Sequence, residues 1–483
     1  MQRAAITLQP DTSEALSAET FNAAMAASAL PASTPLAVAV SGGPDSTALA
    51  FCLQRWISQQ ERVSPPPLAG GVRGGLVEQE TPSPAKTKDL AEAKSKFLLP
   101  LPQGERKLYA FIVDHALRPE SADEALQTKV RLESIGIKAE ILTWQHEPVI
   151  SKLHITARKA RYKLLIAACK RHGIRDLFLA HQLEDQAETI LMRFAKGSGI
   201  DGLAGIAPVT HSDDIRLLRP LLSFSKSRLI ATCDAEKLPY VTDPSNQLDK
   251  YARGRLRRVM PLLAEEGLTP ERLADLGMRA AEASYALDYY TNDFLKNAAE
   301  QDIAGTIRFN LAALKSVPRA IAGRAVTLAL QTIHREDYAP EQASLNSLLD
   351  AALSATHMAP RTLHGCLVSM TATQLILMRE YAAITDNILI HPGETILWDD
   401  RWQVTLSAEA VDNYNVRPLG NPPHDQLDIL ELSLRHLVPQ GRARATLPAL
   451  WHKDKLTLFP SLTTSGSATP AYAQILSSPV GIK

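Results

Sequence analysis

The sequence predicts an α/β protein: a parallel-sheet nucleotide-binding domain, then a helical domain, then a small strand-rich C-terminal domain. Three observations predict this class. Short apolar runs alternate with amphipathic helical stretches over residues 36–195, the pattern becomes mostly helical from about residue 261, and short strand-like runs follow residue 387. Alternating strands and helices imply right-handed crossovers and a parallel sheet, which binds ligands at the carboxyl ends of its strands.

The elements of the first domain are predicted in chain order from apolar runs and helix signals. Strands are expected at Leu36–Val40, Leu108–Val113, Glu140–Trp144 and Asp176–His181. Helices are expected from Pro44, from a capping box at Ser121–Glu124, over Ile155–Lys170 and over Glu184–Lys196, with Gly136 and Gly173 as helix ends. The ends of the first and fourth strands should therefore meet at one edge of the sheet.

Four regions follow from these patterns. Residues 1–35 form a lead with one helix from Ser13 to about Ala29, and residues 36–260 form the nucleotide-binding domain. Residues 64–106, rich in Pro and Gly, are predicted to be a disordered or loosely ordered insertion. Residues 261–386 are predicted to be mainly helical, and residues 387–483 to form a small α+β domain whose end frays after about Ser461.

Within the third region, helices are expected over Leu273–Ala299, Ala320–Ile333 and Ser344–Leu353. Small strands at Thr306–Phe309 and Leu375–Met378 are expected at its edges. In the last region the clearest strand signals are Ile388–Ile390 and Trp402–Leu406.

Composition places the chain among multidomain globular proteins. Its 483 residues are too many for a single hydrophobic core. Of these residues, 45% are hydrophobic and 22% are charged. Lys plus Arg and Asp plus Glu number 52 each, so any basic surface for an anionic partner must be local. The N-terminus lacks a signal-peptide core and no uncharged apolar run reaches spanning length, which predicts a cytoplasmic protein without membrane contact.

The segment Ser41-Gly42-Gly43-Pro44-Asp45-Ser46 carries the strongest chemical signal. It joins a buried strand to a helix, and its glycines let consecutive N–H groups point outward with no side chain in the way. Pro44 suits the first helical position, and the helix start adds partial positive charge. This turn is therefore predicted to cradle the phosphates of a nucleotide, although the ordinary P-loop sequence is absent from the chain.

A second acidic turn is predicted to face this loop. His181 ends the fourth strand, and Asp185 and Glu188 lie three residues apart on one face of the following helix. Asp45 and Asp185 would together hold Mg²⁺ on the phosphates, Glu188 would bind a cationic co-substrate, and His181 would orient the reacting group. In isolation, acids in a first helical turn only complement the helix dipole.

Three further groups of polar residues are candidates. Asp114 and His115 end the second strand and would line the nucleotide pocket, although capping explains them almost as well. Arg158 and Arg161 would contact phosphate or RNA, with a solvated basic face as the equal alternative. The arginine cluster at Arg253, Arg255, Arg257 and Arg258 indicates phosphate contacts, with a salt-bridged interdomain helix as the competing interpretation.

Together these motifs resemble the bacterial tRNA(Ile)-lysidine synthetases, members of the PP-loop superfamily of ATP pyrophosphatases. The matching segments span about residues 41–260: the loop at 41–46, Val113–Arg118, Ala157–Tyr162, Ala180–Thr189, Gly197–Leu203 and Asp243–Arg257. Two departures are Gly254, where the family usually has Asn, and the insertion at 64–106.

The resemblance implies a two-step ligation. ATP adenylates the C2 oxygen of the wobble cytidine in a CAU-anticodon tRNA(Ile), and free L-lysine then displaces AMP to give lysidine. It further implies ATP binding by residues 41–46 with Asp114 and His115, catalysis by Asp45, Asp185 and His181, and Mg²⁺ on Asp45 and Asp185. Lysine would bind Glu188, and tRNA would bind Arg158, Arg161, Arg253, Arg255 and Arg257, with the domains beyond residue 260 recognising its shape. A homodimer is left open.

Three alternatives stay open from sequence. Thiolation of a tRNA base, another PP-loop reaction, needs a reactive cysteine, whereas Cys52, Cys169 and Cys233 fall within predicted helices and Cys366 lies far downstream. Amide or guanidine synthesis from small substrates is weakened by the lack of a glutaminase domain in this chain. An RNA-binding scaffold with a vestigial nucleotide site would carry a degraded phosphate loop, and this loop is intact.

Overall fold

The computed structural model describes residues 14–26, 28–30, 34–63, 107–146, 153–241, 252–336, 338–354, 357–421, 441–460, 462 and 471–475. The insertion predicted at 64–106 and the Asp243–Asn246 turn lie outside these residues. The chain divides into two compact units, Met1–Ser284 and Tyr285–Lys483. In the described part of the chain, no helix is both long and apolar enough to cross a membrane.

The first unit is a six-stranded sheet with helices on both faces. Its strands are β1 (Leu36–Val40), β2 (Leu108–Asp114), β3 (Lys138–Thr143), β4 (Asp176–Phe178), β5 (Val209–Ser212) and β6 (Ile215–Leu218). Its helices are α1 (Ala18–Ala26), α2 (Pro44–Val63), α3 (Ser121–Ser134), α4 (Leu153–Arg171), α5 (Leu183–Ala195), α6 (Ile200–Leu203), α7 (Lys226–Ala235) and α8 (Ala252–Glu265), followed by α9 (Pro270–Ala298), within which the unit boundary falls.

The strand order β3-β2-β1-β4-β6-β5 places a topological switch between β1 and β4. The chain leaves β1 toward β2 and β3 and returns on the other side through β4, and these strands and β6 all pair in parallel. Ligands of open parallel sheets bind where the strand order reverses. The loop after β1 and the turn after β4 both open at this point, which confirms the predicted fold class.

Both faces of the sheet are covered because successive strand residues point to opposite sides. Val38 packs with α2 residues such as Leu49 in one core cluster, whereas its neighbour Ala37 packs with α4 residues such as Leu165 in the other. A strand that is buried on both faces has a continuous apolar sequence, which is why β1 could be predicted.

Several elements of the first unit differ from expectation. The capping box at Ser121–Glu124 is wrong: Ser121 is already the first residue of α3, and the carboxylate of Glu124 pairs with Arg118 at 3.3 Å. The fourth strand ends at Phe178 rather than His181, so His181 lies in the turn. The antiparallel hairpin of β5 and β6 was not predicted, and the first helix covers Ala18–Ala26 within the longer span expected.

The second unit contains more strand than expected. Helices α10 (Leu311–Ser316), α11 (Arg319–His334) and α12 (Gln342–Ser354) accompany an antiparallel sheet of order β7-β8-β11-β10-β9. Its strands are β7 (Ala299–Gln301), β8 (Ile307–Asn310), β9 (Arg361–Leu363), β10 (Cys366–Met370) and β11 (Gln374–Arg379). The two strands expected at the edges of a helical region, β8 and β11, are instead paired neighbours inside this sheet.

Two smaller sheets complete the second unit, with orders β12-β15-β16-β17 and β13-β14-β18. Their strands are β12 (Ile388–Ile390), β13 (Thr395–Trp398), β14 (Trp402–Leu406), β15 (Tyr414–Pro418), β16 (Pro448–His452), β17 (Lys455–Leu458) and β18 (Ala471–Ile475). Trp398 and Trp402 are fully buried in their shared core. The expectation of fraying after Ser461 is wrong for β18, which pairs with β14 over its whole length.

Candidate active site

The loop after β1 is shaped by Gly42 and Ser46. Gly42 has a φ of +84°, and a Cβ at this position would lie 2.7 Å from the hydroxyl oxygen of Thr128 on α3. The Ser46 hydroxyl accepts a hydrogen bond from the Ser41 N–H at 3.2 Å and donates one to the Gly43 carbonyl at 3.1 Å. The Ser46 hydroxyl therefore bridges the two sides of the turn at the N-terminus of α2. Only glycine fits at position 42.

The Asp45 carboxylate is half-buried, and its Oδ1 atom is buried without a hydrogen-bond partner in the structure. Burial raises the pKa of Asp45 to about 6, opposed by the Lys226 ammonium and reinforced by the neighbouring Asp185. An unpartnered carboxylate oxygen close to a second carboxylate is a suitable ligand for a cation. Mg²⁺ is bound in proteins by one or two carboxylates and keeps its other positions for water and phosphate, so Asp45 with Asp185 fits this ion.

The described residues contain no group of three or more His, Cys, Asp or Glu side chains arranged as a metal cage. The predicted assignment of Mg²⁺ to Asp45 and Asp185 therefore stays a prediction, supported by the unpartnered oxygen and the paired negative charges.

The start of α5 holds its acidic side chains in fixed positions. Gln182 caps the helix by accepting hydrogen bonds from the N–H groups of Glu184 and Asp185, and the Asp185 carboxylate accepts one from the Gln182 N–H at 3.2 Å. This reciprocal capping box satisfies helix donors and orients Asp185 at the same time. The true capping box of the domain thus lies at the site rather than at Ser121.

Glu184 is a site residue that sequence reasoning missed. Both of its carboxylate oxygens accept hydrogen bonds from the Lys226 N–H, at 3.1 and 3.0 Å, which ties α5 to the first residue of α7. Burial raises the pKa of Glu184 to about 7, and the charges of Asp45 and Asp185 act in the same direction. In the sequence, Glu184 looks like any acidic residue in the first turn of a helix. Only its contact with the distant Lys226 marks it as part of the site.

Glu188 and Arg257 form the closest ion pair of the site. Arg257 Nε lies 2.5 Å from Glu188 Oε1, and Arg253 Nε lies 3.9 Å from Glu188 Oε2. Glu188 is only 1% exposed, whereas both arginines stay more than a third exposed. Burial raises the pKa of Glu188, and Arg257 opposes this shift. Arg253 and Arg257 therefore share one direction, as their spacing predicted, and both face the acidic site.

His181 lies among four arginines. Burial, and then the positive charges of Arg219 and three other arginines, lower the pKa of His181 to about 3. The other three are Arg158, Arg161 and Arg253. The imidazole is therefore neutral at physiological pH, and its buried Nδ1 atom has no partner in the structure. A neutral ring with a free nitrogen can accept or donate one hydrogen bond to a bound group.

Arg158 and Arg161 are held against the Tyr162 ring on α4, with guanidinium-to-ring distances of 5.1 and 5.5 Å. Burial lowers the pKa of the Arg161 guanidinium, with Arg158 and Arg253 adding to the effect. These arginines thus belong to the cationic surroundings of His181 instead of a fully solvated face. Arg219, which sequence reasoning did not single out, donates to the carbonyl of Ala207 at 2.9 Å and is 8% exposed.

Asp114 and His115 lie at the end of β2, as expected. The Asp114 carboxylate accepts a hydrogen bond from the Ala116 N–H at 2.8 Å and lines an open pocket of about 370 Å³ with Leu117, Arg118 and neighbouring residues. Burial lowers the pKa of His115, which lies edge-on to Trp144. Asp114 is therefore both a turn residue and a pocket residue.

The four arginines of α8 are all exposed, but they differ in their contacts with the acidic site. Arg253 and Arg257 form ion pairs with Glu188, whereas Arg255 and Arg258 are not among the ion-pair partners of Asp185 and Glu188. The structure thus divides the predicted arginine cluster into one pair that contacts the acidic site and one pair that does not.

Comparison with known proteins gives the family. The sequence profile of the PP-loop domain matches residues 83–263, a range that begins after the Ser41 loop. A tRNA(Ile)-lysidine synthase of Methylobacterium sp. (strain 4-46) is 38% identical over 319 residues, covering 65% of this chain and 91% of that relative. The chain belongs to the tRNA(Ile)-lysidine synthase family. A synthase of Anaplasma marginale (strain St. Maries), 32% identical over 362 residues, covers 72% of this chain and 78% of that relative.

Among solved structures, a U34-tRNA thiolase from Methanococcus maripaludis matches 55% of this chain and 79% of its own, at 17% identity and a TM-score of 0.40. The family assignment rests on the sequence relatives alone. It confirms the resemblance drawn from the motifs. For a member of this family, the groups gathered around the switch point are the candidate site for ATP.

Proposed function

We propose that this protein ligates free L-lysine to C2 of the wobble cytidine in a CAU-anticodon tRNA(Ile), using ATP. Family membership supports this activity. The structural observation that carries it is the arrangement at the β1–β4 switch point. There, the glycine turn with the buried, unpartnered Oδ1 atom of Asp45 stands beside a Glu188–Arg257 pair. One part suits a polyphosphate and the other suits an amino acid.

The first step is adenylation of the base. The C2 oxygen of cytidine attacks the α-phosphorus, an O–P bond forms, and the bond to the β-phosphate oxygen breaks as pyrophosphate leaves. The N–H groups of the Ser41–Ser46 loop and the N-terminus of α2 hold the phosphates. Bound Mg²⁺ would neutralise charge on the phosphates, and Asp45 and Asp185 would hold it.

The second step joins lysine to the base. The ε-amine nitrogen attacks C2, a C–N bond forms, the C2–O bond breaks with AMP as leaving group, and the nitrogen loses its proton. The neutral His181 would hydrogen-bond the activated base through its unpartnered Nδ1 atom. A target base must leave its stack to reach such a pocket.

Free lysine carries an α-carboxylate and an α-ammonium close together. Glu188 and Arg257 offer the complementary pair of charges side by side, and Arg257 is the half-exposed member. We assign the carboxylate of lysine to Arg257 and its α-ammonium to Glu188 with Asp185. This extends the sequence prediction, in which Glu188 binds a cationic substrate and Arg257 binds only RNA.

Binding of tRNA would use Arg158 and Arg161 near the base and Arg255 and Arg258 on the exposed side of α8. The second unit, Tyr285–Lys483, would contribute shape recognition of the RNA. Since the net charge of the chain is zero, these contacts have to be local.

Thiolation is disfavoured by the cysteines. All four, Cys52, Cys169, Cys233 and Cys366, are buried, three in helices and Cys366 in β10. Burial raises the pKa of Cys52 to about 11 and that of the other three to about 12, so none is a thiolate at neutral pH.

The test is an incubation of the protein with transcribed CAU-anticodon tRNA(Ile), ATP, Mg²⁺ and radiolabelled lysine. Label should enter the tRNA only when every component is present, with one AMP and one pyrophosphate released per lysine joined. A transcript with U in place of the wobble C is the matched control. Label in that control, or AMP release without lysine transfer to the intact transcript, would contradict the proposal.

A further inference from the structure

Lys226 is a cationic residue at the edge of the candidate site that no motif singled out. It is the first residue of α7 and is half-buried. Its N–H donates to both carboxylate oxygens of Glu184, at 3.1 and 3.0 Å. The Ser225 side chain at the N-cap makes no capping hydrogen bond, so Glu184 takes that place. Because Glu184 precedes Asp185 on α5, the position of Lys226 is fixed relative to the acidic turn.

Helix α7 contacts both parts of the site: its first residue, Lys226, meets Glu184, and its Cys233 thiol donates to the carbonyl of Pro44 in the loop at 3.5 Å. Of the charged groups that act on the Asp45 carboxylate, the Lys226 ammonium has the largest effect, ahead of Asp185 and Arg257. Among the described residues, none of the ion pairs involves Lys226, whereas Arg257 is engaged by Glu188 and Asp185. The ammonium thus lies near Asp45 without a direct ion-pair partner.

The polyphosphate of ATP needs such a cation at its far end. Backbone N–H groups of the Ser41–Ser46 loop supply dipoles, but the pyrophosphate that leaves gains negative charge as its bond to the α-phosphorus breaks. The arginines of the site surround His181 or face Glu188, on the side of the base and the amino acid. Among the described residues, Lys226 is the cation that acts most strongly on Asp45, ahead of Arg257.

We propose that Lys226 binds the β- and γ-phosphates of ATP and stabilises the departing pyrophosphate. This inference rests on the proposed function, because it assigns a role within the adenylation step. The competing role for Lys226 is structural: its ammonium would only offset the negative charges of the half-buried Asp45 and Glu184. The two roles differ in which nucleotides are affected. If Lys226 binds the terminal phosphates, its substitution should weaken the binding of ATP but not that of AMP.

The experiment compares nucleotide binding by the wild type with that of Lys226→Met and Lys226→Arg, by calorimetry with Mg·ATP and with AMP. We expect Lys226→Met to weaken ATP binding about ten- to a hundredfold, as loss of a charged hydrogen bond does, while AMP binding changes less than about twofold. Lys226→Arg should retain most of the ATP affinity. Pyrophosphate should inhibit the wild type more strongly than Lys226→Met.

Lys237→Met is the matched control, because Lys237 follows the other end of α7 and is exposed. It should bind ATP and AMP like the wild type. If Lys226→Met does not fold, as judged by its melting curve, Lys226→Gln replaces it. Unchanged ATP binding, or equal losses for ATP and AMP, would overturn the proposal.

These binding measurements need neither lysine nor tRNA. Failure of the wild type to form lysidine would defeat the proposed function whatever the ATP and AMP affinities are. Normal ATP affinity of Lys226→Met, with an active wild type, would defeat only the role given to Lys226.

Discussion

Arg257 Nε lies 2.5 Å from Glu188 Oε1, and these residues stand 69 positions apart in the chain. The pair joins α8 to α5 and brings both signs of charge to one place beside Asp45. The Glu188 side chain is 1% exposed and the Arg257 side chain is 39% exposed, so a substrate can reach the arginine first. A charge pair of this kind is suited to a zwitterion.

Glu188→Gln should impair the use of lysine more than adenylation. The substitution keeps the size of the side chain but removes the charge that faces Arg257 and the substrate ammonium. We expect the KM for lysine to rise about tenfold or more, as for loss of a buried charge-assisted contact. An adenylated tRNA intermediate should accumulate when lysine is limiting, detected by transfer of label from [α-³²P]ATP to tRNA.

Glu265→Gln is the control, since Glu265 is the exposed last residue of α8. Equal loss of adenylation and lysine transfer in Glu188→Gln would place Glu188 with the nucleotide and metal residues instead.

Asp45→Asn should abolish most adenylation. It preserves the shape of the side chain but removes the charge assigned to Mg²⁺, and we expect the rate of pyrophosphate release to fall ~100-fold or more. Asp185→Asn should behave alike. The double variant should lose less than the sum of the two single losses in activation free energy, because both carboxylates serve one ion.

Asp213→Asn, at an exposed turn between β5 and β6, should leave the rate unchanged. Near-normal pyrophosphate release from Asp45→Asn, or fully additive losses, would show that the two carboxylates do not share an ion.

Neutral His181 should make the folded protein sensitive to acid. Its pKa is lowered from 6.5 to about 3, so between these values the unfolded chain binds a proton that the folded chain does not. The free energy of unfolding contributed by His181 is therefore fully present above pH 6.5 and is lost as the pH falls toward 3. The loss is on the order of 5 kcal/mol.

His181→Asn should flatten this dependence, measured as urea unfolding at a series of pH values. The exposed His211, replaced in the same way, should leave the profile as in the wild type. A wild-type slope that survives in His181→Asn would assign the acid sensitivity to other groups.

The two pairs of arginines on α8 should respond differently to substitution. Arg255→Gln should weaken tRNA binding and reduce the slope of log affinity against log salt by about one unit, as loss of one phosphate contact does. Arg257→Gln should raise the KM for lysine and change that slope less. Arg171→Gln, at an exposed ion pair with Glu140, is the control for a general loss of positive charge. An unchanged slope in Arg255→Gln would move RNA binding to other surfaces.

Elements that are buried on both faces were predictable from the sequence. β1 and β2 are largely apolar runs. In the turn between β1 and α2, Gly42 has a φ of +84°, a conformation that glycine favours. The hairpin of β5 and β6 was missed because its strands have four residues each, and β5 has no fully buried residue. The sheet of the second unit was missed because its pairing, such as β8 with β11, joins distant parts of the chain.

For the candidate site, the residue types could be predicted and their partners could not. Asp45, Asp185, His181 and Glu188 stand where strand ends and helix starts place them. Glu184 and Lys226 meet across 42 positions, and each is unremarkable in its own helix. Contacts of this range depend on the packing of α5 against α7 and α8, which local sequence patterns do not encode.

The central claim is that ATP activates the C2 oxygen of the wobble cytidine before lysine replaces it. The most direct test uses tRNA(Ile) carrying ¹⁸O at C2 of that cytidine, followed by mass spectrometry of the released AMP and of the wobble nucleoside. We predict that the ¹⁸O atom appears in AMP, and that the nucleoside gains the mass of lysine with loss of its C2 oxygen. Unlabelled AMP, with ¹⁸O kept in the tRNA, would contradict the account.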